Sequence, residues 1–231
     1  MRFLLHISII FSLLFFFQKV SSDSFNYNSY TSHGIIGLIN MPTARHYKEG
    51  AYAFGANLNK KDQKIFISSS PYDWLEATLF YSNIVDKPYC ETFYDPVCRQ
   101  DYKDKGFNFK FRLKEEGRLP AISVGFNDIG GTGLYSSEYI VASYGRNYLD
   151  FHFGIGWGNL SGSDLSFENP LIKLSNKFEL RSKQIEGGGQ IEPSNFFSGK
   201  KAAPFFGLSY ALNRKTVFKI EHDTTVTPGA I

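Results

Sequence analysis

Apolar and polar residues alternate along much of the chain with the period of two that is typical of β-strands. In GFNFKFR (Gly106–Arg112), three phenylalanines alternate with asparagine, lysine and arginine. No stretch has convincing helical spacing, so the sequence predicts an all-β, antiparallel protein. The alternation and the turn signals predict nine strands, at Ala51–Leu58, Lys64–Ser69, Leu75–Ser82, Phe107–Leu113, Ala121–Asp128, Glu138–Tyr144, Tyr148–Trp157, Phe205–Leu212 and Thr216–Asp223.

Each of these strands has an apolar face and a face of small and polar residues. In a soluble sheet the apolar face would pack on a core, whereas in an outer-membrane barrel it would contact lipid and the polar face would line a wet lumen. We expect the second arrangement, and a soluble periplasmic β-domain is the alternative. The residues predicted to face the lumen include Asn108, Lys110, Arg112, Asn127, Asp150, His152, Lys219 and Glu221.

The predicted connections favour the barrel. From the third strand onward short links alternate with longer ones, which is the asymmetry of barrels with tight periplasmic turns and extended outer loops. We therefore predict an antiparallel up-and-down outer-membrane β-barrel over residues 50–231, with outer loops at 83–106 and 158–204, and with residues 23–49 leading into it. Nine is an odd number of strands, so we expect a partial barrel, the N-terminal part of a longer barrel protein.

The N-terminus predicts export. Arg2 is followed by the apolar stretch FLLHISIIFSLLFFF and then by a predicted cleavage point after Ser22. This is typical of a signal peptide over residues 1–22. An uncleaved helical anchor is the alternative, but 15 residues fall short of the roughly 20 that cross a bilayer.

Composition and net charge exclude several classes of protein and of partner. The chain is 42% hydrophobic and 20% charged, which excludes a disordered chain and a helical membrane bundle. The net charge of +3 is small and its cations are scattered, so we expect no nucleic-acid partner.

The two cysteines lie in one predicted loop. Cys90 and Cys98 flank a turn predicted at Asp95–Pro96. In an exported protein this predicts a disulfide, which would stabilise the fold by about 2–3 kcal/mol. A metal or redox pair and two free thiols are the alternatives, and the C-x-x-C spacing and nearby histidine cluster that would indicate a metal or redox pair are absent from the sequence.

Several segments resemble a known family. GIIGLINMPTARHYKEG (Gly34–Gly50), SSPYDWLEATLFY (Ser69–Tyr81), the long run Asp101–Ser143 and GIGWG (Gly154–Gly158) look like the N-terminal barrel of the YjbH-like exopolysaccharide-biosynthesis family. The resemblance implies a protein of the bacterial outer membrane that takes part in producing or exporting an extracellular polysaccharide. Members resembling this chain are often lipoproteins and much longer.

We expect no catalysis, cofactor or metal. Asp128, Glu138, Asp150 and His152 are candidates for an acid/base cluster, but their spacing does not require them to meet. A passive porin and a barrel-embedded glycan-modifying enzyme are the alternatives to a component of polysaccharide export. The expected partners are outer-membrane lipid, the exopolysaccharide and other export or biosynthesis proteins, and the candidate sugar-contacting aromatic residues are Tyr89, Phe93, Tyr94 and Tyr102.

Overall fold

A computed structural model describes residues 28–60, 62–88, 100–182, 191–213 and 215–226. The predicted signal peptide, both cysteines and the loop aromatics Tyr89, Phe93 and Tyr94 lie outside these residues. The strands are β1 (Ser29–Tyr30), β2 (Ile36–Gly37), β3 (Ala51–Leu58), β4 (Asp62–Tyr72), β5 (Leu75–Pro88), β6 (Asp101–Lys114), β7 (Ala121–Ile129), β8 (Ser137–Arg146), β9 (Leu149–Gly158), β10 (Phe167–Glu168), β11 (Lys201–Asn213) and β12 (Thr216–His222).

The strands form one large antiparallel meander. From β3 to β9 each strand pairs with the next in the chain, and β11 then pairs with β9 and β12. The two-residue β10 pairs with the start of β11, through Phe167 opposite Ala202. Within the described residues β3 and β12 do not pair with each other, so the sheet is open. The fold is therefore all-β and antiparallel, as the alternation predicts.

All nine strands expected from the sequence are present in the expected order. Most extend beyond the predicted bounds, and β5 and β6 now reach Pro88 and Asp101. The predicted outer loop at 83–106 is therefore shorter, because its ends continue the β5–β6 ladder. The predicted loop at 158–204 contains β10 and three short 3₁₀ turns, at Pro170–Lys173, Asn176–Phe178 and Pro193–Asn195.

Helices contribute little to the part of the chain that the structure describes. Apart from the 3₁₀ turns it has no helix. No helix in the described ranges is long and apolar enough to cross a membrane.

The two faces of the sheet differ sharply. We call the face that carries Lys110 the inner face and the opposite one the outer face. Large apolar side chains of the outer face are exposed: Tyr52, Phe54, Leu58, Ile65, Ile67, Leu79, Tyr81, Phe107, Ile140, Phe151, Phe153, Phe206, Phe218 and Ile220. Polar residues of the inner face are buried instead, among them Lys64, Glu76, Asn108, Lys110 and His152. The usual distribution of a soluble protein is thus reversed.

The few aromatic residues on the inner face lie over glycines. In four directly opposed cross-strand pairs, a ring occupies the space that a glycine leaves on the next strand: Gly55–Phe66, Gly106–Phe80, Gly125–Tyr139 and Gly154–Phe205. A Cβ atom at Gly125 would lie 2.1 Å from Cζ of Tyr139. These glycines are required by close packing of side chains against the backbone.

Residues 28–46, which we call the N-terminal segment, lie across the inner face. Its apolar side chains pack with inner-face residues of β7, β8 and β11, and with Leu160 just after β9, in one buried cluster: Ile35, Leu38, Met41, Ala44, Ala121, Tyr139, Val141, Leu160 and Phe205. The segment also contacts β5, β6, β9 and β12. Because so short a segment reaches so many strands, the sheet must curve around it.

Candidate functional site

The inner face binds the N-terminal segment largely through its backbone. The carboxylate of Glu221, on β12, accepts hydrogen bonds from the backbone N–H groups of Ile39, Asn40 and Met41 at 2.9, 2.9 and 3.2 Å. Lys219, two residues earlier, donates to the carbonyl oxygens of Gly37 and Leu38, and to the hydroxyl of Ser29. These two side chains therefore replace the strand partner that the segment lacks here.

A buried ion pair lies at the centre of the inner face. The carboxylate of Glu76 and the ammonium of Lys110 are 2.6 Å apart. Glu76 also accepts the N–H of Ile36 at 2.6 Å, and Lys110 donates to the carbonyl oxygens of Ile36 and Arg45 at 3.0 and 2.8 Å. Such additional hydrogen bonds are what a desolvated ion pair needs in order to be tolerated.

Arg45 fixes the end of the segment. Its guanidinium binds both carboxylate oxygens of Asp150, at 2.8 and 2.6 Å, and one oxygen of Glu116 at 2.5 Å. Burial by itself would lower the pKa of Arg45, but the two carboxylates raise that pKa above its ordinary value. The bidentate geometry fixes orientation as well as charge.

Two histidines of the segment are held in the neutral form. His46 lies 3.1 Å from the hydroxyl of Ser123. Burial, followed by the charges of Lys110 and Arg112, lowers its pKa to about 2. Burial and the ammonium of Lys64 lower the pKa of His33 to about 3. Neither imidazole therefore carries a charge at neutral pH.

A second polar cluster lies on β4 and β5. Asp62 pairs with the ammonium of Lys64 at 2.6 Å and accepts hydrogen bonds from Ser82 and Tyr135 at 2.6 and 2.9 Å. The same ammonium lies 3.5 Å from the ring centroid of Tyr135 and 3.3 Å from Nδ1 of His33. This cluster ties the β7–β8 connection and the N-terminal segment to the sheet.

The long connection between β9 and β11 is anchored by a third pair. Arg181 binds both oxygens of the buried Glu138 at 2.7 and 3.0 Å, and the N–H of Phe197 donates to the same carboxylate at 2.8 Å. The indole N–H of Trp157 donates to the side-chain carbonyl of Asn169 at 2.9 Å. The connection is thereby held against the sheet at the ends of β8 and β9.

All eight residues predicted to face a lumen lie on the inner face. Five of them touch the N-terminal segment: Asn108, Lys110, Asp150, Lys219 and Glu221. The other three bond within the sheet and its turns, Asn127 to Ser137, His152 to Ser143 and Arg112 to Glu115. Four of the eight side chains, those of Asn108, Lys110, Asn127 and His152, are buried, and the N-terminal segment covers part of this face. The expectation that these residues line a wet lumen stays a prediction.

The other predicted site residues are only partly described. Tyr102 lies on β6, packed against the buried cluster that contains Phe80 and Ile84, and the ammonium of Lys87 is 5.3 Å from its ring centroid. The disulfide between Cys90 and Cys98 and sugar contact by Tyr89, Phe93 and Tyr94 stay predictions, since these residues lie outside the described ranges.

The four candidates for an acid/base cluster do not meet in one place. Asp150 and His152 approach to 3.7 Å, while Glu138 binds Arg181 and Asp128 accepts the N–H of Tyr135. Within the described ranges, no group of three or more His, Cys, Asp or Glu residues is arranged to hold a metal ion.

Sequence reasoning missed the role of residues 28–46, which it treated as a lead into the barrel. It also missed the partners of Glu76 and of Glu138. One signal was available: the inner faces of adjacent predicted strands carry unlike charges at Glu76 and Lys110, and opposite charges on neighbouring strands interact favourably.

Comparison with known proteins identifies the family. The sequence model of the YjbH family, described as exopolysaccharide biosynthesis protein YbjH, matches residues 29–226. The uncharacterized lipoprotein YjbH of Escherichia coli K12 is 40% identical over 187 residues, which are 79% of this chain and 26% of that protein. The chain thus spans about a quarter of the length of this relative, and no solved structure matches it. The match of the family model over nearly all described residues shows that the chain belongs to the YjbH family of exopolysaccharide biosynthesis proteins.

Proposed function

We propose that this protein is a β-barrel component of the bacterial outer membrane that takes part in exopolysaccharide production or export without catalysing a reaction. One observation carries the membrane assignment: the outer face of the sheet exposes its large apolar side chains while the inner face buries polar ones. In the strands of an outer-membrane barrel, apolar residues that face outward to lipid alternate with polar residues that face inward.

The exposed apolar surface is too extensive for an ordinary soluble sheet. Exposed side chains of Phe54, Ile67, Phe107, Phe153 and Phe218 lie on the outer faces of five different strands. Monomeric soluble proteins rarely expose contiguous apolar patches above a few hundred Å². Lipid around this face would remove it from water.

Membership in the YjbH family supports a role in exopolysaccharide production. The relative from Escherichia coli is a lipoprotein, which is consistent with a location in the cell envelope. We assign the present chain to the same compartment.

The charged residues of the inner face support a non-catalytic role. Glu76, Lys110, Arg45 and Asp150 pair with one another or with backbone groups of the N-terminal segment. Their interactions account for their burial without a reaction. The occupied inner face also argues against a passive diffusion porin, whose interior is open to water.

Two measurements test the proposal. In a cell that expresses the full-length gene product, we expect it to sediment with outer membranes and to resist extraction by urea and salt. Deletion of the gene should lower the amount of surface polysaccharide and leave its sugar composition unchanged. Recovery of the protein in the soluble periplasmic fraction would contradict the membrane assignment, and polysaccharide cleavage by the purified protein would contradict the non-catalytic one.

A further inference from the structure

The outer face carries an apolar groove of about 730 Å³ over β8, β9, β11 and β12. The outer-face side chains that line it include Ala142, Tyr144, Phe151, Phe153, Phe206 and Ile220. Ala142 stands directly opposite Phe153 in the β8–β9 ladder. Its methyl group leaves room among the surrounding large side chains, and the volume falls within the roughly 300–1,000 Å³ of small-molecule sites.

Two arginines each lie two residues along the chain from a residue that lines the groove. Arg146 follows Tyr144 by two residues on β8, so its side chain points to the same face. Arg118 precedes Pro120, another lining residue, by two positions in the β6–β7 turn. Both arginine side chains are exposed.

The carboxylates near this end are already engaged by other cations. Glu115 pairs with Arg112, while Glu116 and Asp150 pair with Arg45. Among the residues that the structure describes, neither Arg118 nor Arg146 takes part in an ion pair. An apolar groove thus adjoins two arginines without counter-ions.

We propose that this groove binds one acyl chain of a glycerophospholipid, with Arg146 and Arg118 at its phosphate. The ligand needs an apolar tail for the groove and an anionic head for the arginines, and guanidinium groups bind phosphate through paired hydrogen bonds. The inference rests on the proposed membrane location, since only there do such lipids surround the outer face.

Native mass spectrometry of the full chain in detergent tests the proposal. Dipalmitoylphosphatidylglycerol is titrated in parallel with dipalmitoylglycerol, which has the same chains and no phosphate. We expect one phosphatidylglycerol to be retained per chain, with an affinity about tenfold or more above that of dipalmitoylglycerol. The double variant Arg118→Gln/Arg146→Gln should remove this preference.

Two further variants separate the groove from general surface charge. Ala142→Phe fills the groove and should weaken binding of both lipids. Lys177→Gln removes an exposed cation from the 3₁₀ turns of the long connection and should leave both affinities unchanged. Equal affinity for the two lipids, or a double variant that retains the preference, would overturn the proposal.

Failure of the groove is distinguishable from failure of the membrane assignment. A chain that fractionates with outer membranes but shows no phosphate preference contradicts the groove alone. A chain that is soluble in the periplasm yet binds phosphatidylglycerol with the expected preference contradicts the membrane location and supports the groove.

Discussion

Glu76 on β5 and Lys110 on β6 are directly opposed in the sheet, with 2.6 Å between carboxylate and ammonium and exposures of 1% and 0%. Both charges are removed from water, and each also binds the backbone of Ile36. The pair thus joins two central strands and the N-terminal segment. The ion pair stabilises the fold only while both partners are present, because a lone charge at this position would be buried without a compensating opposite charge.

Removal of one partner should therefore be costly. We expect Lys110→Met to lower the free energy of unfolding by about 3–5 kcal/mol, because Glu76 would be left buried and unpaired. Urea unfolding in detergent micelles measures the change. The double variant Glu76→Gln/Lys110→Met should recover much of the loss, and the control Arg112→Met, at a more exposed pair, should cost about 0–1 kcal/mol. Equal losses in the single and double variants would contradict a coupled pair.

Acidification should destabilise the fold through His33 and His46. Their pKa values in the folded protein are about 3 and about 2, against about 6.5 when unfolded. As the pH falls below about 6.5 the unfolded chain takes up protons that the folded chain does not, so stability decreases by up to about 1.4 kcal/mol per pH unit and histidine. The stabilisation is present above the unfolded pKa and is lost progressively towards pH 3.

Unfolding free energies between pH 7 and pH 4 check this dependence. His46→Asn should reduce the slope relative to the unsubstituted protein. An unaltered slope in His46→Asn would show that this imidazole is protonated in the folded state.

Glu221 should control the N-terminal segment. Glu221→Gln removes the negative charge of a carboxylate that accepts hydrogen bonds from three backbone N–H groups. Each such charge-assisted hydrogen bond contributes about 1.5–3 kcal/mol to stability. We expect hydrogen exchange of Ile39, Asn40 and Met41 to accelerate by about tenfold or more, with little change in β6. The matched control is Glu179→Gln, an exposed carboxylate in the long connection. Acceleration across all strands would mean that the substitution unfolds the sheet as a whole.

The glycines opposite aromatic rings should resist substitution. In Gly125→Ala the new Cβ would meet the ring of Tyr139, and we expect a loss of about 1–3 kcal/mol from overpacking. Gly117→Ala, in the β6–β7 turn, has no atom within 4 Å of the new Cβ and serves as control. The double variant Gly125→Ala/Tyr139→Leu should be less destabilised than the sum of its single changes, which a double-mutant cycle measures.

The sheet was predictable from sequence because the alternation of apolar and polar residues indicates on which face each side chain lies. The period of two put Phe107 and Lys110 on opposite faces and gave β3 its correct bounds. The extensions of β5 and β6 were not predictable, because Asp86 and Pro88 suggest a turn while the ladder is irregular there.

The N-terminal segment was not predictable for a different reason. Its partners Lys219 and Glu221 are about 180 residues away in the chain and bind backbone groups, which every residue possesses. Such contacts produce no periodic pattern in the sequence of the segment or of β12. The alternation within each strand therefore could not show that a distant segment covers the inner face.

The contacts between residues 37–41 and β12 have a consequence for the order of folding. Closing a loop of about 180 residues carries an entropic cost that neighbouring hairpins such as β3–β4 do not incur. Residues 37–41 can therefore form their hydrogen bonds with β12 only after β12 has joined the sheet, although they precede all the strands of that sheet in the chain. We therefore expect the ordering of residues 37–41 on β12 to be a late event in folding.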